Sequence, residues 1–207
     1  MHQFSSKKIF LMFRKYKLPI TLLFIFCFLL FTSTPAFTWG FFAHKKINYF
    51  AVFTLPPEMI SFYKKHIDYI SRHGVDADRR RYSVKEEAPR HYIDLDHYGK
   101  KPFDSIPPIW KKAVEKYSED TLQEYGIVPW YIEKMMYRLT KAFREGNTES
   151  ILYLSANIGH YIADAHVPLH TTENYNGQLT NQQGIHNFWE SRIPELFSDQ
   201  WDFFAGR

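Results

Sequence analysis

A chain of 207 residues with 45% hydrophobic and 18% aromatic content has room for one globular domain with a full core. Its formal charge of +4 owes much to the amino terminus: residues 1–38 hold five basic side chains and no acidic one, leaving 21 basic against 22 acidic residues, a net of −1. The high isoelectric point therefore gives no support to a nucleic-acid partner, which would want a basic stripe beyond residue 38.

The first 38 residues are a unit of their own. Lys7, Lys8, Arg14, Lys15 and Lys17 precede an apolar run from Leu18 to Phe31, followed by Thr32-Ser33-Thr34-Pro35-Ala36. This is the layout of a secretory signal peptide, and the apolar run is short for a membrane span of about 20 residues. An uncleaved amino-terminal membrane anchor is the alternative. Either way the domain at residues 39–207 is expected to be exported, periplasmic or secreted. Cys27 lies inside the apolar run, so that domain has no disulfide despite an oxidising destination. Phe26 is too large for a lipidation site. Bound metal would tie the domain together instead.

Along the domain the signals are helical. Ile47, Phe50, Ala51 and Phe53 predict a short helix ended by Leu55-Pro56-Pro57, and Pro57-Glu58 opens a second carrying Met59, Ile60, Tyr63, Ile67 and Ile70. The charged stretch from His73 to Arg90 reads by composition as a solvated loop. Residues 90–97 are extended or helical. Helices follow from Ile109 to about Tyr117, from Ser118 to Tyr125 and from Pro129 to Arg144. Strand signals are few, so the expected class is all-α. The apolar stretch from Phe188 to Phe204 stops at Gly206-Arg207 with no helical partner downstream, and the domain is expected to be truncated at its carboxyl end.

The densest chemistry lies between His160 and Glu190. Ile151, Leu154, Ile158, Ile162 and Ala165 recur at helical spacing, predicting a helix from about Thr148 to about His166. His160 and Asp164 share one face of it, off the aliphatic stripe and in line with Asn157. Pro168 ends the helix and His170 follows. After a polar loop, His186 and Glu190 repeat the four-residue spacing on a second helix. Imidazoles and carboxylates so spaced are a ligand set that zinc accepts, and two pairs with a histidine between them are a far stronger signal than one. His166 has no partner at a matching spacing and reads as structural or supporting.

These residues resemble the zinc-dependent phospholipase C and S1/P1 nuclease superfamily. The shared elements are Trp39-Gly-x-x-x-His44, Asp76-x-x-Arg79 with His91-Tyr92 beyond it, His160-x-x-x-Asp164, Pro168-Leu169-His170 and Gly184-Ile185-His186-x-x-x-Glu190. The resemblance implies a multi-helix bundle around a trinuclear zinc cleft. It assigns one zinc to Asp76, His91, His160 and Asp164, and a second to His170, His186 and Glu190. A third takes His44, Asp164 as a bridge, and the amino and carbonyl groups of Trp39. Asp78 is a rival to Asp76, while Asp94 and Asp96 read as structural. The amine of Trp39 is free only if cleavage falls directly before it, which Ala36 and Thr38 allow.

Glu190 as the last ligand and the short loop before His186 favour the phospholipase branch. The resemblance thus implies a phosphodiester hydrolase acting on phospholipid head groups, with possible membrane-surface contact and with Asp76 orienting or deprotonating the attacking water. Two other readings stay open: a single-strand nuclease or 3′-nucleotidase on the same site, the one reading with a nucleic-acid partner, and a non-catalytic zinc-stabilised envelope domain. The absence of HExxH and of a His-Asp dipeptide disfavours other zinc hydrolase plans.

Overall fold

The computed structural model describes residues 40–203. Their regular structure is all helical, with no strand among the described residues. The segment 1–38 expected to be a signal peptide, Trp39 and the last four residues lie outside them.

Eleven α-helices follow in chain order: α1 Phe41–Ala51, α2 Pro57–Lys65, α3 Ile67–His73, α4 Asp76–Arg80, α5 Pro102–Ser105, α6 Trp110–Tyr117, α7 Glu119–Tyr125, α8 Val128–Arg144, α9 Thr148–Ala165, α10 Ile185–Asn187 and α11 Ile193–Phe197. Short 3₁₀ turns join several of them. No described helix is long and apolar enough to cross a membrane.

The bundle is built around α9. Asn147 caps its start, its side chain accepting from the Ser150 amide at 2.9 Å, and Pro168 stands just past its end. Ile151, Leu154, Ile158 and Tyr161 face the core, as do Asn157, His160 and Asp164 on the polar line. A helix buried on both its apolar and its polar lines sits at the centre of its domain. The predicted stripe drifts at its end: Ile162 and Ala165 are exposed, and the core line passes through Tyr161 instead. Helices α1, α3 and α8 pack around α9.

Asn48 of α1 fixes the crossing of three helices. Its amide donates to the carbonyls of Ile70 (3.1 Å, α3) and Ala156 (2.9 Å, α9). Gly74 and Gly159 lie so close that a Cβ on either would overlap the Asn48 amide. This contact brings His44, one turn before Asn48, against His160, next to Gly159: their rings stack with centroids 3.9 Å apart.

Three segments depart from the sequence reading. The helix expected to carry Met59 through Ile70 is broken at His66 into α2 and α3. The 73–91 stretch is not a solvated loop. It forms α4 and a 3₁₀ run Lys85–His91, and it buries Val75, Ala77, Asp78 and Glu87. Its charges are drawn inward because they find buried partners on α9, which composition does not register. The His186–Glu190 pair spans α10 and a wider π turn, Phe188–Arg192, rather than one regular helix. The expected helices around 109–117, 118–125, 129–144 and 148–166 form with shifts of a residue or so.

Candidate metal centre

Five buried imidazoles and three carboxylates converge between α1, α4, α9, the 3₁₀ run before His91, the turn after α9, and α10. Three groups bring ligand atoms within 4.8 Å of one another: His44, His160 and Asp164; Asp78, His91 and His160; His170, His186 and Glu190.

Asp164 joins them. Its Oδ2 lies 2.8 Å from His91 Nδ1 and 3.2 Å from His160 Nε2, while its Oδ1 lies 3.2 Å from His44 Nε2 and 3.9 Å from His170 Nε2. The two oxygens of one buried carboxylate thus face two different sets of imidazoles. Glu190 spans its own pair, with Oε1 2.8 Å from His170 Nε2 and Oε2 2.9 Å from His186 Nε2. Asp78 Oδ1 lies 3.6 Å from His160 Nε2 and 3.8 Å from His91 Nδ1.

Backbone carbonyls set two ring orientations. His160 Nδ1 donates to the Gly74 carbonyl (2.8 Å), and His170 Nδ1 donates to the His91 carbonyl (2.7 Å). Each ring therefore turns its Nε2 into the cluster. His160 Nε2 then meets His91 Nδ1 at 3.1 Å. Two neutral rings so placed, with His91 protonated on its outer nitrogen, point lone pairs at each other. The contact needs a proton or a metal ion between them.

The electrostatics express the same need. Burial pushes the His160 imidazolium down, but Asp164 and then Asp78 outweigh it and lift His160 to about 9. Burial pushes Asp164 up, yet His160, His44 and His91 hold it well below the ordinary carboxylate range. Glu190, also pushed up by burial, is pulled to about 2 by His170 and His186. His170 is depressed by burial and raised more strongly by Glu190 and Asp164.

The donor set fits zinc. Tetrahedral ligand atoms about 2.0–2.1 Å from an ion stand roughly 3.3 Å apart. The His91–His160, His160–Asp164 and His44–Asp164 contacts of 3.1–3.2 Å already approach that edge.

Of the sequence-predicted ligands, His44, His91, His160, Asp164, His170, His186 and Glu190 come together here, all buried. Asp76 does not. As the first residue of α4 it turns outward, its carboxylate 2.6 Å from His73 Nδ1 and 3.1 Å from Arg79 Nη1. Asp78, two residues on and only 9% exposed, occupies the place expected of Asp76. Two residues of helix turn a side chain by more than half a circle, so Asp76 and Asp78 face opposite ways and only Asp78 joins the cluster. Trp39 lies outside the described residues. Its neighbour Gly40 packs against His44 and Glu190, and the Gly40 amide donates to Ser191 Oγ at 3.0 Å. His166 is exposed and bonds back to the Ile162 carbonyl.

Sequence reasoning missed Glu87, Arg80 and Tyr161, which lie behind His91. A signal existed: Glu87 and His91 are a third carboxylate–histidine pair at four-residue spacing.

A cavity of about 660 Å³ opens on the cluster, with Asp78, His91, His170 and His186 among its lining residues and Arg81, Tyr82, Tyr92 and Tyr175 at its walls. A larger apolar groove, about 1210 Å³, runs past His44 and Glu190 between α1 and the carboxyl-terminal helices, lined by Tyr49, Phe53, Trp189 and Trp201 with Lys46. No protein-family model, curated protein or solved structure matches this chain.

Proposed function

We propose that this chain is an exported zinc-dependent phosphodiester hydrolase of the phospholipase C kind, its helices arranged as in the phospholipase C/P1 nuclease bundle. The observation that carries the reading is Asp164, a buried carboxylate whose two oxygens address separate imidazole groups as a bridging ligand requires. Asp78, His91 and His160 with Asp164 Oδ2 would hold one zinc, and His170, His186 and Glu190 a second. His44 with Asp164 Oδ1 would hold a third, completed under the resemblance by Trp39. Zinc in these positions would supply Lewis acidity toward phosphoryl oxygens and bring the pKa of a water down to about 7.

The chain's own groups do the rest. Asp78, at the boundary of cluster and cavity, orients the nucleophilic water and takes its proton. Arg81 at the cavity wall offers positive charge to the substrate phosphate. The groove beside His44 and Glu190 pairs exposed Trp and Tyr rings with Lys46, a composition suited to the surface of a phospholipid layer. This favours a lipid head group as substrate.

One observation keeps the nuclease alternative: Tyr82, Tyr92 and Tyr175 line the cavity, and such rings stack bases as readily as they pack on a head group. Zinc-loaded protein offered phosphatidylcholine vesicles and single-stranded DNA side by side separates the two. Release of phosphocholine with the DNA intact is the expected result. Cleavage of DNA alone moves the assignment to the nuclease, and inactivity on both at full metal occupancy leaves a zinc-stabilised domain without catalysis.

A further inference from the structure

His160 and His170 have their outer nitrogens fixed by backbone carbonyls. His91 is different. Its Nδ1 faces Asp164, Asp78 and His160, so the nitrogen left on the far side is Nε2. That atom is buried without a hydrogen-bond partner, and Glu87 Oε1 lies 3.7 Å from it.

Glu87 is fully buried, an unusual place for a carboxylate. Arg80 Nη2 and Nε lie 3.2 and 3.3 Å from its two oxygens, Arg90 Nη1 donates to Oε2 at 2.6 Å, and the Tyr161 hydroxyl donates to Oε1. Arg80 is itself held by Asn157 Oδ1 at 2.6 Å. Two guanidiniums and a phenol keep Glu87 ionised and immobile, with one oxygen turned toward the ring of His91.

We infer that Glu87 is the positioning residue of His91: its carboxylate holds the proton on Nε2 and so presents the Nδ1 lone pair to a metal ion. The inference rests on the metal reading above, and it adds an outer carboxylate that none of the matched sequence elements contains. A carboxylate behind a ligating imidazole fixes its tautomer and raises its basicity, and losing such a partner typically costs about 10–100-fold in metal affinity.

The test compares Glu87→Gln with Arg90→Met in the full chain. Arg90→Met removes an arginine from the same ion cluster but leaves the carboxylate behind His91. Zinc affinity is read by competition with a chromophoric chelator, and folding by circular dichroism. Glu87→Gln should weaken zinc binding by about 10–100-fold, whereas Arg90→Met should lower the melting temperature and leave zinc affinity within about 3-fold of wild type. Equal losses of affinity in both variants would reduce Glu87 to a packing role and overturn the inference, as would a Glu87→Gln protein that binds zinc like wild type.

Should Glu87→Gln fail to fold, ¹⁵N-resolved NMR of the wild-type ring decides: His91 must carry its proton on Nε2, and a proton on Nδ1 in the zinc-loaded chain sinks the proposal. A wild-type chain that binds no zinc at all overturns the metal reading and this inference together. A zinc-binding wild type with an unaffected variant overturns the inference alone.

Discussion

Two carboxylate clusters lie on opposite sides of the His91 ring, and they meet the cost of burial in different ways. On the outer side, Glu87 faces Arg80, Arg90 and Tyr161, permanent cations and a neutral donor. Burial pushes Glu87 up, but His91, Tyr161 and Arg80 hold it well below the usual range, and no further cation is required. On the inner side, the ion pairs that Asp164, Asp78 and Glu190 make among the described residues are with imidazoles, which are cationic only when protonated. The first cluster is complete at any ordinary pH. The second must import positive charge as protons or as metal. A buried cluster built from histidine where arginine was available is one prepared for exchangeable charge.

Four experiments set the two clusters against each other. The largest effect should come from removing metal. Structural zinc contributes on the order of 10 kcal/mol, comparable to the whole stability of a domain. The zinc-loaded chain should therefore melt far above the same chain in excess chelator, and the gap should widen with pH. His160, raised to about 9, gives the metal-free chain stability that is complete below 6.5 and lost as the pH climbs through 9. Glu190, lowered to about 2, gives stability present above 4.5 and lost as the pH falls toward 2. The metal-free chain is thus best served between about 4.5 and 6.5. Zinc needs unprotonated imidazoles, so its advantage grows from pH 6 to pH 8. Melts at those two pH values check this, and a gap that shrinks with pH would mean that protons, not metal, complete the inner cluster.

Next in size is Asp164→Asn, which neutralises the one carboxylate addressing both imidazole sets. It should lower zinc affinity by more than about 100-fold, beyond what loss of an outer-shell partner costs. Isothermal titration reads it directly.

A smaller contrast separates Asp78 from Asp76. Asp78→Asn should weaken zinc binding, whereas Asp76→Asn breaks a partly exposed pairing with His73 and Arg79 and should cost about 0–1 kcal/mol of stability with zinc affinity unchanged. The reverse order in a zinc competition assay would restore Asp76. The smallest effect belongs to His166→Ala: this exposed ring touches neither cluster, and both zinc content and melting temperature should stay near wild type.

How much of this was legible beforehand depended on the spacing rule that each segment obeys. The α9 residues His160 and Asp164 follow regular helical geometry, so their shared face could be read directly from positions four apart. His186 and Glu190 also meet, although a π turn carries them. The choice between Asp76 and Asp78 was not legible, because it depends on where the short helix α4 begins, and a shift of one or two residues decides which side chain turns inward. Glu87 was hidden by composition: in Arg-Arg-Arg-Tyr-Ser-Val-Lys-Glu-Glu every sign says solvent, and only Asn157 and Tyr161 of α9, some 75 residues away, draw Arg80 and Glu87 inside. Ile162 misled in the opposite sense, its place in the stripe overridden by Tyr161.

The central claim is that the inner cluster holds zinc as a working complement of its charge. Elemental analysis of the purified, exchange-dialysed full chain beside Asp164→Asn tests it most directly. About three zinc ions per chain are expected, one for each converging ligand group, with a clear loss of bound zinc in the variant. A wild-type chain that carries no zinc after loading, and that melts at the same temperature with and without chelator, would contradict it.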